Sequence, residues 1–229
     1  MVGLTREVMA SPVAIPSHWS GVEVSEHPVV RCVSKRFMDV TLAAFALVLL
    51  LPLLVLVSLA AVVDSGWPVL YGQTRVGLNG RRFRMWKFRT MVRNADSLRA
   101  SLEHLNEAPF PAFKMRNDPR ITRVGRVLRR TRVDELPQLW NVLRGDMSFV
   151  GPRPPLPNEV EHYDELARRR LVVRPGITCT WQVTGRLADA ATFEDWVRTD
   201  LAYIDGWSLW LDVILLYQTV QLVIRMKGI

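Results

Sequence analysis

Residues 39–64 read DVTLAAFALVLLLPLLVLVSLAAVVD, an almost entirely apolar segment. No charged side chain lies between Asp39 and Asp64. An apolar run of about 20 residues is long enough to cross a bilayer as a helix. Pro52, however, removes a backbone donor at the middle of the run and disfavours helical geometry at Leu51. The sequence therefore predicts two helical arms that meet at a bend.

Basic residues flank the run on both sides, whereas a spanning helix has its excess of Lys and Arg on one side only. They are Arg31, Lys35 and Arg36 before it and Arg75, Arg81, Arg82, Arg84, Lys87 and Arg89 after it. An arm of about 12 residues reaches roughly 18 Å, about half of a ~30 Å hydrocarbon core. We therefore predict a re-entrant hairpin at residues 31–66, with Pro52 as the membrane break. A single spanning helix with a tolerated proline stays open as the alternative.

Composition limits the classes of function. The 229 residues are 49% hydrophobic, which suits one compact domain plus its membrane element. A net charge of +8 favours an anionic partner: a lipid headgroup, a nucleotide phosphate or a nucleic acid. The sequence contains no nucleic-acid-binding motif, so we expect no nucleic-acid partner. The two cysteines and four single histidines have neither disulfide-framework nor zinc-site spacing.

The remaining pattern divides the chain into a flexible tail at 1–30, the hairpin at 31–66 and a globular domain at 67–229. Strand-like alternation around the turn at 77–80 predicts a small β-hairpin. A helix beginning near Asp134 would place Asp134 and Glu135 at its positive end, where phosphates are stabilised. For residues 207–224 we predict an interfacial helix, because Asp212 would be costly at membrane depth. An ordinary core helix is the alternative there.

Three groups of residues could carry chemistry. Asp134 and Glu135 follow an arginine-rich stretch, which supports an ionised carboxylate as nucleophile or metal ligand. Glycine and prolines at 145–154 would fix a loop that aims Arg153, whose planar fork suits a phosphate. Lys87 and Arg89 would lie on one face of a strand.

Seven motifs in a fixed order resemble the bacterial sugar transferases, the monotopic polyprenyl-phosphate phosphoglycosyl transferases in their minimal catalytic form. They are KRFMD (35–39), QTRVG (73–77), KFRTM (87–91), NDPRITRVG (117–125), DELPQLWNVL (134–143), GPRP (151–154) and RPGIT (174–178). The resemblance runs from about residue 31 to the C-terminus. It implies a mixed α/β, mainly helical membrane-associated domain with a re-entrant hairpin and interfacial amphipathic helices, at the cytoplasmic face of the bacterial inner membrane.

The resemblance also implies a ping-pong reaction. Asp134 would attack the β-phosphorus of a UDP-sugar, UMP would leave, and polyprenol phosphate would take the phosphosugar from the aspartyl intermediate. Glu135 would assist in proton transfer or in organising the site. Mg²⁺ would bridge Asp134 and the diphosphate. A catalytically inert membrane scaffold of the same fold is the alternative function.

The resemblance assigns the remaining site residues by position. Arg153, between Pro152 and Pro154, would contact the nucleotide. Phosphate or loop anchoring is expected of Lys87, Arg89, Arg120 and Arg144. Lys35 and Arg36 would contact anionic membrane lipids at their headgroups. Two positions depart from the family: Leu51 precedes Pro52 where relatives have serine, and Cys179 replaces a glycine. The oligomeric state, including a homo-oligomer, and the identity of the sugar are left open.

Overall fold

The computed structural model describes residues 28–105, 115, 117–184 and 192–224. Its α-helices are α1 (Pro28–Arg31), α2 (Val33–Leu49), α3 (Leu51–Ser65), α4 (Ala95–Leu102), α5 (Arg123–Thr131), α6 (Gln138–Arg144), α7 (Pro157–Glu161), α8 (Glu165–Arg168), α9 (Thr180–Thr184), α10 (Phe193–Asp205) and α11 (Leu209–Ile224). Its strands are β1 (Leu70–Val76), β2 (Arg82–Phe88), β3 (Ser148–Val150) and β4 (Gly176–Thr178). The predicted mixed, mainly helical fold is confirmed.

Helices α2 and α3 form a bent pair. They meet at Leu50 with an angle of 62°, and Pro52 is the second residue of α3, where a missing N–H is tolerated. The predicted bend is thus confirmed, although the arms have 17 and 15 residues rather than about 12. Within the described ranges no helix alone is long and apolar enough to cross a bilayer, whereas the pair together is. A re-entrant path through a membrane stays a prediction.

The start of α2 is fixed into the domain by Lys35. Its ammonium donates to Asp212 Oδ2 at 2.6 Å and to the carbonyl of Val150 at 3.2 Å. Only 4% of Lys35 is exposed. The expectation that Lys35 contacts lipid headgroups is therefore wrong, because its charge is already neutralised inside the protein.

Two further side chains of α2 also turn inward. Asp39, which is buried, accepts a hydrogen bond from the backbone N–H of Phe149 at 3.1 Å. Arg36 donates to the carbonyls of Val142 and Leu143 at 2.7 and 2.8 Å. These carbonyls lie in the last turn of α6, where a cation is favoured by the helix dipole. Arg36 is thus a helix cap, not the headgroup contact that the sequence predicted.

The two sheets each have two strands. β1 and β2 pair antiparallel from Leu70 opposite Phe88 to Val76 opposite Arg82, which confirms the predicted hairpin. β3 and β4 pair parallel, a feature that the sequence did not predict. A Cβ on Gly176 would lie 2.2 Å from the backbone nitrogen of Gly151, so this pair of strands requires glycine at Gly176.

The main core joins α10, α11 and the segment around β3. Val29 of α1 is buried in it, so packed structure begins before residue 31, within the segment predicted as a tail; residues 1–27 of that tail lie outside the described part. Helix α11 buries Leu215 and Asp212 on one face, as a core helix does. Its other face leaves Trp210 and Tyr217 exposed at 71% and 64%. The core-helix alternative thus holds for one face, and an interfacial position of the other face stays a prediction.

Candidate active site

The acidic pair lies in a tight turn between two helices. α5 ends where Arg132 adopts a left-handed conformation with φ of 57°, and the 3₁₀ turn Val133–Glu135 follows. α6 begins only at Gln138. The prediction of a helix beginning near Asp134 is therefore wrong by four residues. Asp134 is 9% exposed, while Glu135 is less buried.

Asn141 ties α6 to the edge of β2. This fully buried side chain accepts a hydrogen bond from the N–H of Trp86 at 3.1 Å and donates to the carbonyl of Arg84 at 2.7 Å. An edge strand otherwise leaves such backbone groups without partners. The connection holds the end of β2 beside the acidic turn, which brings Lys87 within 2.7 Å of Glu135 Oε1.

A second cation reaches the turn from α5. Arg129 donates through Nε to Thr90 Oγ1 at 2.8 Å, and its positive charge acts on Asp134. This close approach depends on Gly125, because a Cβ there would lie 2.1 Å from the carbonyl oxygen of Thr90. Residues from three separate motifs thus converge around one carboxylate.

The electrostatics of Asp134 are those of a buried acid beside a second acid. Burial first, and then the charge of Glu135, raises the pKa of Asp134 to about 6. Lys87 and Arg129 act in the opposite direction. At neutral pH Asp134 is therefore mostly ionised. A positive charge brought by a ligand would stabilise the carboxylate further and lower its pKa.

Arg75 connects the proline-rich loop with the end of β1. Its Nη1 donates to the carbonyl of Pro154 at 2.9 Å, and its Nη2 donates to Gln73 Oε1 at 2.7 Å. Burial and the charge of Arg153 lower the pKa of Arg75 to about 10, while Glu135 acts against that shift. Arg153 itself is half-buried and makes no hydrogen bond or ion pair within the part of the chain that the structure describes. Its guanidinium is thus available to an anionic ligand.

The other predicted anchors differ in their surroundings. Arg120 is buried against Asp118, with Nη2 2.7 Å from Oδ2, so it anchors its own loop and does not offer its charge to a phosphate. Arg144 is largely exposed and lies 3.5 Å from Asp146. Arg89 is half-buried and forms no hydrogen bond or ion pair through its side chain to any described residue.

Asp134, Glu135 and Lys87 are brought together, and the charges of Arg75 and Arg129 act on this group. The charge of Arg153 acts on Arg75, which connects Arg153 with this group. Arg75 was not among the predicted site residues, although it lies in the recognised QTRVG motif. Arg129 belongs to the arginine-rich stretch that was expected to support the carboxylate, and its charge does lower the pKa of Asp134.

A divalent cation would find two acidic neighbours here. No group of three or more His, Cys, Asp or Glu side chains converges as a metal site within the described residues. Mg²⁺ is commonly held by one or two carboxylates together with substrate phosphates and water. The Asp134 carboxylate is compatible with Mg²⁺ that arrives with a phosphate-bearing substrate, and Mg²⁺ between Asp134 and the diphosphate stays a prediction.

Comparison with known proteins covers most of the chain. Residues 30–226 match the family described as Bacterial sugar transferase. The exopolysaccharide production protein ExoY of Sinorhizobium fredii is 40% identical over 200 residues, covering 86% of this chain and 88% of the relative. The ExoY of Rhizobium meliloti is 37% identical over 232 residues and is covered to 99%.

Some relatives are much longer. The galactosyl transferase CpsE of Streptococcus agalactiae is 41% identical over 196 residues, which are 86% of this chain but 43% of the relative. The chain thus spans less than half the length of this relative and nearly all of the ExoY proteins. The family match and these identities show that the chain belongs to the bacterial sugar transferase family.

Proposed function

We propose that this protein transfers a sugar phosphate from a UDP-sugar to polyprenol phosphate, giving a polyprenyl-diphosphate-sugar and UMP. The observation that carries the proposal is the buried Asp134 with Lys87 and Arg129 acting on it. Named relatives support the substrates: an undecaprenyl-phosphate galactose phosphotransferase of Salmonella typhimurium and a UDP-galactose-lipid carrier transferase of Erwinia amylovora.

In the first half-reaction a carboxylate oxygen of Asp134 attacks the β-phosphorus of the donor. The bond from that phosphorus to the bridging oxygen breaks, and UMP leaves with the electron pair. The sugar phosphate stays on Asp134 as an acyl phosphate, as in covalent catalysis by other carboxylates. Lys87 and Arg129 stabilise the charge that accumulates on the phosphoryl oxygens. Arg153 holds the nucleotide phosphate.

In the second half-reaction a phosphate oxygen of the polyprenol phosphate attacks the same phosphorus. The bond to Asp134 breaks, so the carboxylate is regenerated and the diphosphate product is formed. Glu135 positions Lys87 through their ion pair and can take a proton from a protonated acceptor phosphate. Mg²⁺, held by Asp134 and the diphosphate, would supply charge neutralisation when bound.

The bent pair of α2 and α3 supports a location at the membrane. Most of its apolar side chains are exposed, including Phe37, Phe45, Leu56 and Val63. A contiguous apolar surface of this kind is uncommon in water and marks a membrane or protein contact. We propose that the pair dips into the inner membrane from the cytoplasmic face, in contact with anionic lipids. There the reaction would begin a bacterial glycan pathway such as exopolysaccharide synthesis.

The test is UMP release from purified, detergent-solubilised protein supplied with Mg²⁺, undecaprenyl phosphate and a panel of UDP-sugars. A cognate donor alone should give one UMP per protein, and the acceptor should convert this burst into turnover. Asp134→Asn should abolish both while it leaves folding intact. Absence of UMP from folded protein across the panel would favour the inert scaffold, and an active Asp134→Asn would overturn the mechanism.

A further inference from the structure

An open groove runs between the second arm of the bent pair and the helix that leads to the active site. It has a volume of about 670 Å³ and is shallow, so a ligand in it would stay partly exposed. It is lined by Leu56, Leu59, Ala60, Val63 and Asp64 of α3 and by Arg123 and Val124 of α5. The walls are therefore apolar over most of their length, with charge at one end.

Specific contacts fix the two helices that line the groove against each other. Asp64 Oδ2 accepts a hydrogen bond from the N–H of Val124 at 3.0 Å, which fixes the first turn of α5 against the end of α3. Farther along, Val57 of α3 and Leu128 of α5 are buried in one cluster with Phe88 of β2. The two helices thus have a fixed separation, and the cluster also contains Phe88, which follows Lys87 in β2.

Helix α5 connects the groove with the reaction centre. It has nine residues, so at about 1.5 Å per residue it is roughly 14 Å long. Val124 at its beginning lines the groove, whereas Arg129 near its end acts on Asp134. A ligand with an anionic head at Asp134 could therefore place its tail in the groove after following α5 for about that distance.

We propose that this groove binds the isoprenoid chain of the acceptor, a few units away from its phosphate. The inference rests on the proposed function. The lining is apolar except at the end formed by Asp64 and Arg123, so it suits a hydrocarbon chain better than a nucleotide or a sugar. A bulk phospholipid could fill the groove with an acyl chain, but it would have no reason to place its phosphate beside Asp134. In the second half-reaction the groove would thus favour acceptors whose isoprenoid chain is long enough to reach it.

The test compares long and short acceptors in a variant with a filled groove. Ala60→Phe should raise the KM for undecaprenyl phosphate by at least about tenfold, because the ring displaces contacts with the chain. A two-isoprene phosphate, too short to reach the groove, should show less than about a threefold change. The acceptor-independent burst of UMP should be unchanged. Ala44→Phe, at an exposed position of α2 outside the groove, is the matched control and should behave as wild type.

An equal change in KM for both acceptors, or none for either, would overturn the groove proposal. If the groove bound only phospholipid, the KM would change for neither acceptor. If Ala60→Phe loses the burst and so fails to fold, Leu56→Ala replaces it. That variant should raise the KM for the long acceptor only, and an unchanged KM would again overturn the proposal. If the proposed function itself were wrong, wild-type protein would release no UMP. That result differs from every outcome that overturns only the groove proposal.

Discussion

The ammonium of Lys87 lies 2.7 Å from Glu135 Oε1 and its charge also acts on Asp134. One cation from β2 thus serves two adjacent carboxylates. It neutralises the more exposed acid directly and lowers the pKa of the more buried one. The position of Lys87 therefore couples the geometry of the β-hairpin to the protonation state of the nucleophile.

The rate of the UMP burst should fall as the pH drops through about 6, the pKa to which Asp134 is raised. Attack requires the carboxylate, so activity is present above that pKa and lost below it. Lys87→Met should move this acid limb to higher pH, because the lysine lowers the pKa of Asp134. Burst rates between pH 4.5 and 8 measure the limb. A wild-type limb near pH 4 would contradict this prediction.

Asp134→Asn should unfold at a higher temperature than wild type at pH 7.5. The pKa of Asp134 rises from 3.8 to about 6 on folding, so ionisation opposes folding above pH 6. At about 1.4 kcal/mol per pKa unit the gain from the neutral amide is on the order of 1–3 kcal/mol. The difference should shrink as the pH falls towards 4, where the folded carboxyl is protonated and the unfolded one is close to half protonated. Thermal unfolding at the two pH values is the measurement.

Arg129→Met should lower kcat/KM for the donor by about 100-fold, the low end of the range for losing one electrostatic contact to the transition state. Arg130→Met is the matched control, because it removes an exposed arginine of the same helix with no hydrogen bond or ion pair to a described residue. It should retain near-wild-type kinetics in detergent. Equal losses in the two variants would indicate a general effect of charge on α5 instead.

The buried pair of Lys35 and Asp212 should behave as a coupled unit. Lys35→Met leaves a buried carboxylate without its cation and should destabilise the fold by about 3–5 kcal/mol. Adding Asp212→Asn removes that charge but keeps an acceptor for Tyr203, so the double variant should be more stable than Lys35→Met alone. Additive losses would show that the two residues act independently.

An exposed ion pair provides the comparison for the single and double variants of Lys35 and Asp212. Arg169 and Asp205 lie 2.8 Å apart with 44% and 56% of their side chains exposed. Surface pairs contribute about 0–1 kcal/mol. Arg169→Met should therefore leave the thermal unfolding temperature in the same detergent almost unchanged.

Gly125→Ala should reduce both stability and activity. Its Cβ would lie 2.1 Å from the carbonyl oxygen of Thr90, so α5 must move away from the segment after β2. That movement would also break the contact between Arg129 and Thr90. Gly206→Ala, where the nearest atom is 3.1 Å away, should cost much less. Unfolding temperature and burst rate, measured together, test both effects.

Local patterns predicted the parts of this fold that depend on neighbouring residues. The charge-free run with Pro52 predicted the bend, and alternation around the turn at 77–80 predicted the β-hairpin. Burial of Lys35 was missed, because its partner Asp212 is 177 residues away in the sequence. For the same reason the parallel pairing of β3 with β4 had no local signal.

In the candidate active site, too, local features were predicted and features that depend on distant contacts were missed. Asp134 and Glu135 were identified from adjacency and from motifs, which a sequence displays directly. Arg75 was missed because its role depends on contact with the carbonyl of Pro154, a backbone group that every residue possesses. The start of α6 was misplaced because Arg132 adopts a left-handed conformation, which is uncommon for a residue other than glycine.

The separation of Lys35 from Asp212 has a consequence for biosynthesis. At about 5–20 residues per second, a ribosome needs roughly 10–35 s to add the 177 residues between them. During that time the apolar arms are already made, while Lys35 still lacks its partner. Under the proposed membrane location, the arms would therefore reach lipid before the catalytic domain is complete. Arg36 and Asp39 can meet their partners on α6 and β3 before then, but the buried ion pair of Lys35 forms only when α11 has been synthesised and has folded.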